Sequence, residues 1–89
     1  MTETAKHIFF SGHVQGVGFR FTAQSAARRY KLTGFVRNDR DGRVEMLVQG
    51  QAQDIEDCVS DLKETFAIRD IELQQVDVDL SYSDFRIKF

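Results

Sequence analysis

Lys6-His7-Ile8-Phe9-Phe10-Ser11-Gly12-His13-Val14, then Gln15-Gly16-Val17-Gly18-Phe19-Arg20, then Phe21-Thr22-Ala23-Gln24-Ser25-Ala26-Ala27-Arg28-Arg29-Tyr30: this stretch changes period twice. Its first part is apolar and aromatic and closes on a glycine, which predicts a central strand over Lys6 to Val14. The glycine-rich middle is unsuited to a helix interior and predicts a turn. From Phe21 onward, Ala23, Ala26, Ala27 and Tyr30 fall at i, i+3, i+4 and i+7, the stripe of an amphipathic helix. Gln24, Arg28, Arg29 and Lys31 line its polar side, and bases near a helix C-terminus complement the macrodipole. Gly34 is expected to break this helix.

The rest of the chain extends the pattern. Thr33 to Asn38 and Val44 to Gln49 alternate and are joined by Asp39-Arg40-Asp41-Gly42. An Asp-Gly pair between two such runs predicts a hairpin. After Gly50, Ile55, Cys58, Val59, Leu62 and Phe66 share one face of a second helix, and Asp54, Glu56, Asp57, Asp61 and Glu64 share the other. Alternation returns from Arg69 through Ile71, Leu73, Val76, Val78, Leu80 and Tyr82. Its parity slips between Leu73 and Val76, so a bulge is expected near Gln74-Gln75. Phe85 to Phe89 reads as a last edge strand. The order βαββαβ plus a short C-terminal strand predicts an α+β, ferredoxin-like split β-α-β sandwich, with an antiparallel-dominated sheet and both helices on one face. In that topology the first two strands run parallel with the third between them, so the Gln15–Arg20 loop and the end of the second strand at Asn38 meet at one edge.

Composition narrows the function classes. The chain has 89 residues, 42% hydrophobic and 29% charged, with eight Phe and no Pro. One domain over residues 1–89 is expected, with no linker, repeat or low-complexity segment. No apolar run nears the ~20 residues that span a bilayer, and the first residues lack a signal-peptide pattern, so no membrane role and a cytoplasmic location are expected. A single cysteine, Cys58, excludes an internal disulfide framework and a cysteine-built zinc site. The net charge of −2 hides an asymmetry: residues 20–43 carry seven bases and two acids, whereas residues 44–89 carry four bases and eleven acids. A basic third within an acidic chain favours a local anion site over a broad nucleic-acid face. Solvated helix and turn charges would account for most of these bases equally well.

The glycine turn can be read in two ways. Gly16 and Gly18 allow consecutive N–H groups to point into one concavity, the helix N-terminus adds its positive end, and Arg20 supplies a fork of donors for phosphate oxygens. Alternatively it is only a flexible connection between strand and helix, and on physics alone both readings stand. A Walker A motif is excluded because Phe19 and Arg20 follow Gly18. The dinucleotide fingerprint is excluded because Phe21 replaces its third glycine. The RNA-recognition motif must lie within a strand, whereas this run follows one; nor does Val44 to Gln49 offer stacking aromatics.

Gly12-x-Val14-Gln15-Gly16-Val17-Gly18-Phe19-Arg20, followed by Gly34-Phe35-Val36-Arg37-Asn38-x-x-Asp41-Gly42-x-Val44-Glu45, resembles both signature segments of the acylphosphatase family. The likeness spans nearly the whole chain, including Gly50 before the second helix and the ending Phe85-x-Ile87-x-Phe89. His13 stands where many members have arginine, and Phe35 where tryptophan is frequent. The resemblance implies a single acylphosphatase-like domain that hydrolyses the carboxyl–phosphate bond of acyl phosphates without metal or cofactor. It makes Arg20 the phosphate-binding arginine, Asn38 the residue that positions the attacking water, and the backbone of Gln15, Gly16, Val17, Gly18 and Phe19 the rest of the cradle. The implied partner is a small acyl phosphate, with no nucleic acid and a monomeric state. The alternative is a non-catalytic acyl or carbamoyl phosphate-binding module like those that begin larger carbamoyl-transferring proteins; 89 residues read as a complete chain favour the enzyme.

Other residues receive plainer readings. Strand alternation puts Arg37 on the face opposite Asn38, so a structural or surface role is expected. Cys58 lies on an apolar stripe and reads as a core filler. His7 and His13 read as ordinary strand and loop residues, and the acidic side of the second helix as a solvated surface.

Overall fold

The computed structural model describes residues 2–89. Seven elements follow in order: β1 (Thr4–Gly12), α1 (Phe19–Arg29), β2 (Thr33–Asn38), β3 (Val44–Gly50), α2 (Ala52–Thr65), β4 (Ile68–Val76) and β5 (Phe85–Ile87). They build a five-stranded sheet in the order β4-β1-β3-β2-β5. β3 runs antiparallel to both β1 and β2, so those two point the same way with β3 between them. β4 adds antiparallel to β1, and β5 parallel to β2. This is the predicted α+β, ferredoxin-like sandwich.

The core lies between one sheet face and the two helices. Ile8 pairs with Met46 and Phe10 with Val44 across β1 and β3, and Val36 of β2 pairs with Met46 from the other side. All five are fully buried, together with Ala23 and Ala27 of α1 and Cys58 and Leu62 of α2. Burying each large aliphatic or aromatic side chain stabilises by about 1.5–3 kcal/mol. The small alanines of α1 let that helix sit close to the sheet. Burial pushes the Cys58 thiol up to about 12, which fits the core filler the sequence predicts.

Three expectations need correcting. First, α1 ends at Arg29 rather than at Gly34. Lys31 adopts φ 60°, its N–H donates to Arg28 O at 3.1 Å, and Leu32 N–H donates to Ala27 O at 2.9 Å. That pair of bonds is a Schellman ending with lysine in the left-handed position. Gly34 instead lies inside β2, where an added Cβ would collide with the Leu47 carbonyl of β3. Second, no bulge occurs at Gln74-Gln75, which pair regularly with His7 and Lys6. Val76 breaks the parity because it sits opposite the buried Ala5 on the sheet face away from the helices. The irregularity falls between Ser11 and Gly12, which pair with Asp70 and Ile68 and leave Arg69 as the extra residue. Third, the extended run does not continue to Tyr82. The chain leaves β4 after Val76 and crosses the open sheet face to reach β5. The Gln49 amide holds it there, donating to Asp79 O at 2.7 Å and accepting from Asp79 N–H at 3.0 Å.

Boundaries at the first junction also shift. β1 stops at Gly12, and Val14, expected within the strand, drops into the core. α1 begins at Phe19, two residues before the stripe that betrays it. The two shifts move the connecting turn two residues toward the N-terminus, from 15–20 to 13–18, without changing its length.

Candidate active site

The turn between β1 and α1 is anchored at both ends. His13 N–H donates to Ala67 O at 3.0 Å, fixing its start to the segment before β4. At its end the buried Phe19 ring packs on Phe10 and Phe66, with centroids 5.0 and 4.8 Å away. Between these anchors Gly16 and Gly18 take φ 75° and 81°, left-handed values that other residues adopt at a cost. Neither would meet an obstacle if it carried a Cβ, so backbone curvature and not space demands glycine. Gly18 serves as the N-cap of α1 without a side-chain cap, and no acid occupies the first turn. Among the described residues no side chain caps the leading N–H groups of α1, and no acid of its first turn offsets their partial positive charge.

Arg20 follows in the first turn of α1. Its guanidinium lies 5.0 Å from the Phe89 ring centroid. Arg28, Arg29, Arg37 and Arg43 each place their charge against a carboxylate. Among the described residues no carboxylate pairs with Arg20. Lys88 N–H donates to Val36 O at 2.9 Å, so Phe89, and with it Arg20, comes beside the last residues of β2.

Asn38 is the final residue of β2, on the sheet face that carries the helices. Its Oδ1 is buried and finds no hydrogen-bond partner among the described residues. Buried polar atoms are nearly always paired, and leaving one unpaired costs about 1–3 kcal/mol. Gln15 reaches the same place from the turn: its Nε2 donates to the carbonyls of Asp39 and Arg43, both at 2.8 Å. The turn after β1 and the hairpin that follows Asn38 thus meet at one edge. The sequence reading gave Gln15 a backbone role only; two free amide hydrogens facing a hairpin could not be read without the topology.

Residues expected to stand apart do so. Arg37 projects from the opposite face and is ion-paired with Glu45, which also accepts from His7 Nε2 at 2.7 Å. Phe35 shares that open face, with Lys88 Nζ 4.0 Å from its ring centroid. His13 is exposed. Among the described residues no three His, Cys, Asp or Glu side chains gather closely enough to hold a metal ion, and no helix is long and apolar enough to cross a membrane.

The fold defines a class: a small α+β sandwich with a glycine-rich first strand–helix turn that is bonded to the hairpin after its second strand. The family model of acylphosphatase matches residues 6–87. The chain is 36% identical to an acylphosphatase of Chlorobaculum tepidum over 98% of each chain, and 36% identical to one of Bacillus pumilus over 92% of this chain and 94% of that one. The crystal structure of acylphosphatase from Bacillus subtilis superposes with a TM-score of 0.89 and 34% identity, covering 97% of this chain and 99% of that one. The chain belongs to the acylphosphatase family. It also resembles part of full-length HypF in its phosphate- and nucleotide-bound form, with a TM-score of 0.90 and 35% identity over 99% of this chain but 12% of that one.

Proposed function

We propose that this acylphosphatase hydrolyses the carboxyl–phosphate bond of small acyl phosphates, releasing carboxylate and inorganic phosphate, with the division of labour that follows. The backbone from Gln15 to Phe19 and the Arg20 guanidinium hold the phosphate. Asn38 orients the attacking water through Oδ1. The observation that supports this reading is the buried Asn38 Oδ1, which finds no partner among the described residues, at the end of a strand whose hairpin is bonded to the Gln15 turn. An acceptor in that position accepts a hydrogen bond from water, which keeps its proton, and so turns a lone pair of the water oxygen toward phosphorus.

The chemistry asks for little more. The leaving group is a carboxylate, whose conjugate acid has a pKa near ~4 by analogy with Asp and Glu, so no general acid has to protonate it. The loose transition state of phosphoryl transfer requires little deprotonation of water in advance. What remains is in-line placement of water and phosphate, and stabilisation of charge on the equatorial oxygens. Amide N–H groups and a planar guanidinium supply the latter without rearranging during the reaction. A phosphate monoester, with its poor alkoxide leaving group, would be a weak substrate for the same site. In this reading the domain acts alone, as a cytoplasmic monomer that needs no metal.

The likeness to a small part of HypF favours one second reading, a module that binds an acyl or carbamoyl phosphate without turning it over. Benzoyl phosphate hydrolysis with and without EDTA separates the two. The enzyme reading expects turnover unaffected by chelator and competitive inhibition by inorganic phosphate. Phosphate binding without turnover would leave the module.

A further inference from the structure

We infer that the Gln15 side chain is a positioning residue for this reaction: it locks the Asn38 end of β2 at a fixed distance from the phosphate cradle. Its backbone opens the cradle, while its side chain crosses to the turn between β2 and β3. The amide nitrogen has two hydrogens, and the carbonyls of Asp39 and Arg43 take both, each at 2.8 Å. Those carbonyls sit at the neck of the turn. Asp39 N–H donates to Arg43 O at 2.8 Å and Gly42 N–H to Asp39 O at 3.2 Å, so one side chain clamps both ends of the hairpin. Asp39 directly follows Asn38, and Gln15 directly precedes Gly16, the first of the turn's two left-handed glycines.

This clamp matters because of what it joins. A turn containing two left-handed glycines has little conformational stiffness of its own. Asn38 Oδ1, lacking a partner, is not held by a bond of its own. The separation between cradle and acceptor is therefore set by bonds that cross from one segment to the other. A misplacement of about 1 Å between reacting groups costs on the order of 10²-fold in rate. The inference rests on the reading of Asn38 as the residue that orients water.

A double-mutant cycle tests it. Gln15→Met keeps the length and removes both donors; Gln15→Asn keeps the amide and shortens its reach by one methylene. Each is made in the wild-type chain and with Asn38→Ala, and kcat for benzoyl phosphate, the inhibition constant of inorganic phosphate and Tm are measured. Gln15→Met is expected to lower kcat by about 10- to 100-fold, with the phosphate constant within about 3-fold, as for a lost placement rather than a lost grip. In the Asn38→Ala background the further loss should be under about 3-fold, because coupled residues are non-additive. Gln15→Asn should fall between wild type and Gln15→Met, and it carries the comparison if the methionine variant does not fold. Equal losses in both backgrounds, or an unchanged kcat in a folded Gln15 variant, would overturn the inference. An intact kcat in Asn38→Ala alone would overturn the underlying reading as well, whereas a damaged Asn38→Ala beside unimpaired Gln15 variants would overturn only the clamp.

Discussion

Two polar groups occupy the two faces of the same sheet, and their contrast explains the molecule. Glu45, on the open face, is 8% exposed and saturated: His7 Nε2 donates to it at 2.7 Å and Arg37 is ion-paired with it. Asn38, on the helix face, holds a buried oxygen that finds no partner among the described residues. β2 carries Arg37 and Asn38 in succession, so strand alternation alone sends one to each environment. The saturated cluster contributes to folding. The unsatisfied oxygen costs stability, and such a cost is expected where a fold reserves a group for something that binds.

That contrast can be broken first at the cradle. Arg20→Ala should reduce kcat/KM for benzoyl phosphate by about 10²–10³-fold, since a group aimed at transition-state charge is worth about 3–4 kcal/mol. Its Tm should stay close to wild type, because Arg20 is partnered by a ring and not by a carboxylate. A large fall in Tm with kcat/KM retained would reassign Arg20 to the structural side.

Gly34→Ala should act in the opposite sense. The new methyl would meet the Leu47 carbonyl, and backbone strain of this kind costs about 1–3 kcal/mol. Chemical denaturation should show the midpoint falling, while kcat of the folded fraction is kept.

Glu45→Ala should cost about 1–3 kcal/mol by leaving His7 and Arg37 without their shared acceptor. Acid sharpens this prediction. Burial works to raise the Glu45 carboxyl, but the bonds from His7 and Arg37 outweigh it and hold the group below its ordinary value of 4.5. A carboxyl depressed in the folded state contributes stability above its unfolded value and loses it as pH falls through the folded one. Wild-type stability should therefore drop as pH is lowered below about 4.5, and Glu45→Gln should flatten that limb in urea titrations at successive pH values. Equal acid limbs in the two proteins would show that other carboxylates dominate. The smallest effect belongs to His13→Ala. That side chain is exposed and its backbone makes the anchoring bond, so Tm should correspond to a change within about 0.5 kcal/mol.

Much of this was legible in the residues. Period changes around Gly12 and Phe21 gave the strand, turn and helix, and topology then carried the turn to Asn38. What stayed hidden has physical causes. Lys31 ends α1 in a conformation usually left to glycine, so Gly34 took a role that belongs three residues earlier. Val76 looked like a register slip because a hydrophobic residue on the open face is indistinguishable from a bulge until Ala5 is seen opposite it. Gln49 captured Asp79 by side chain, and no periodicity announces a strand replaced by one amide. That the turn after β1 comes to the hairpin that follows Asn38 was readable from the element order. The clamp by Gln15 was not, because its acceptors lie 24 and 28 positions away and are backbone carbonyls.

The most direct measurement is kcat for Asn38→Ala on benzoyl phosphate, taken together with the inhibition constant of inorganic phosphate on the same folded preparation. An acceptor that only aims water predicts a fall in kcat of about 10²-fold while phosphate still binds within about 3-fold of wild type. A kcat within about 3-fold of wild type would contradict it, and the buried oxygen would then need another explanation.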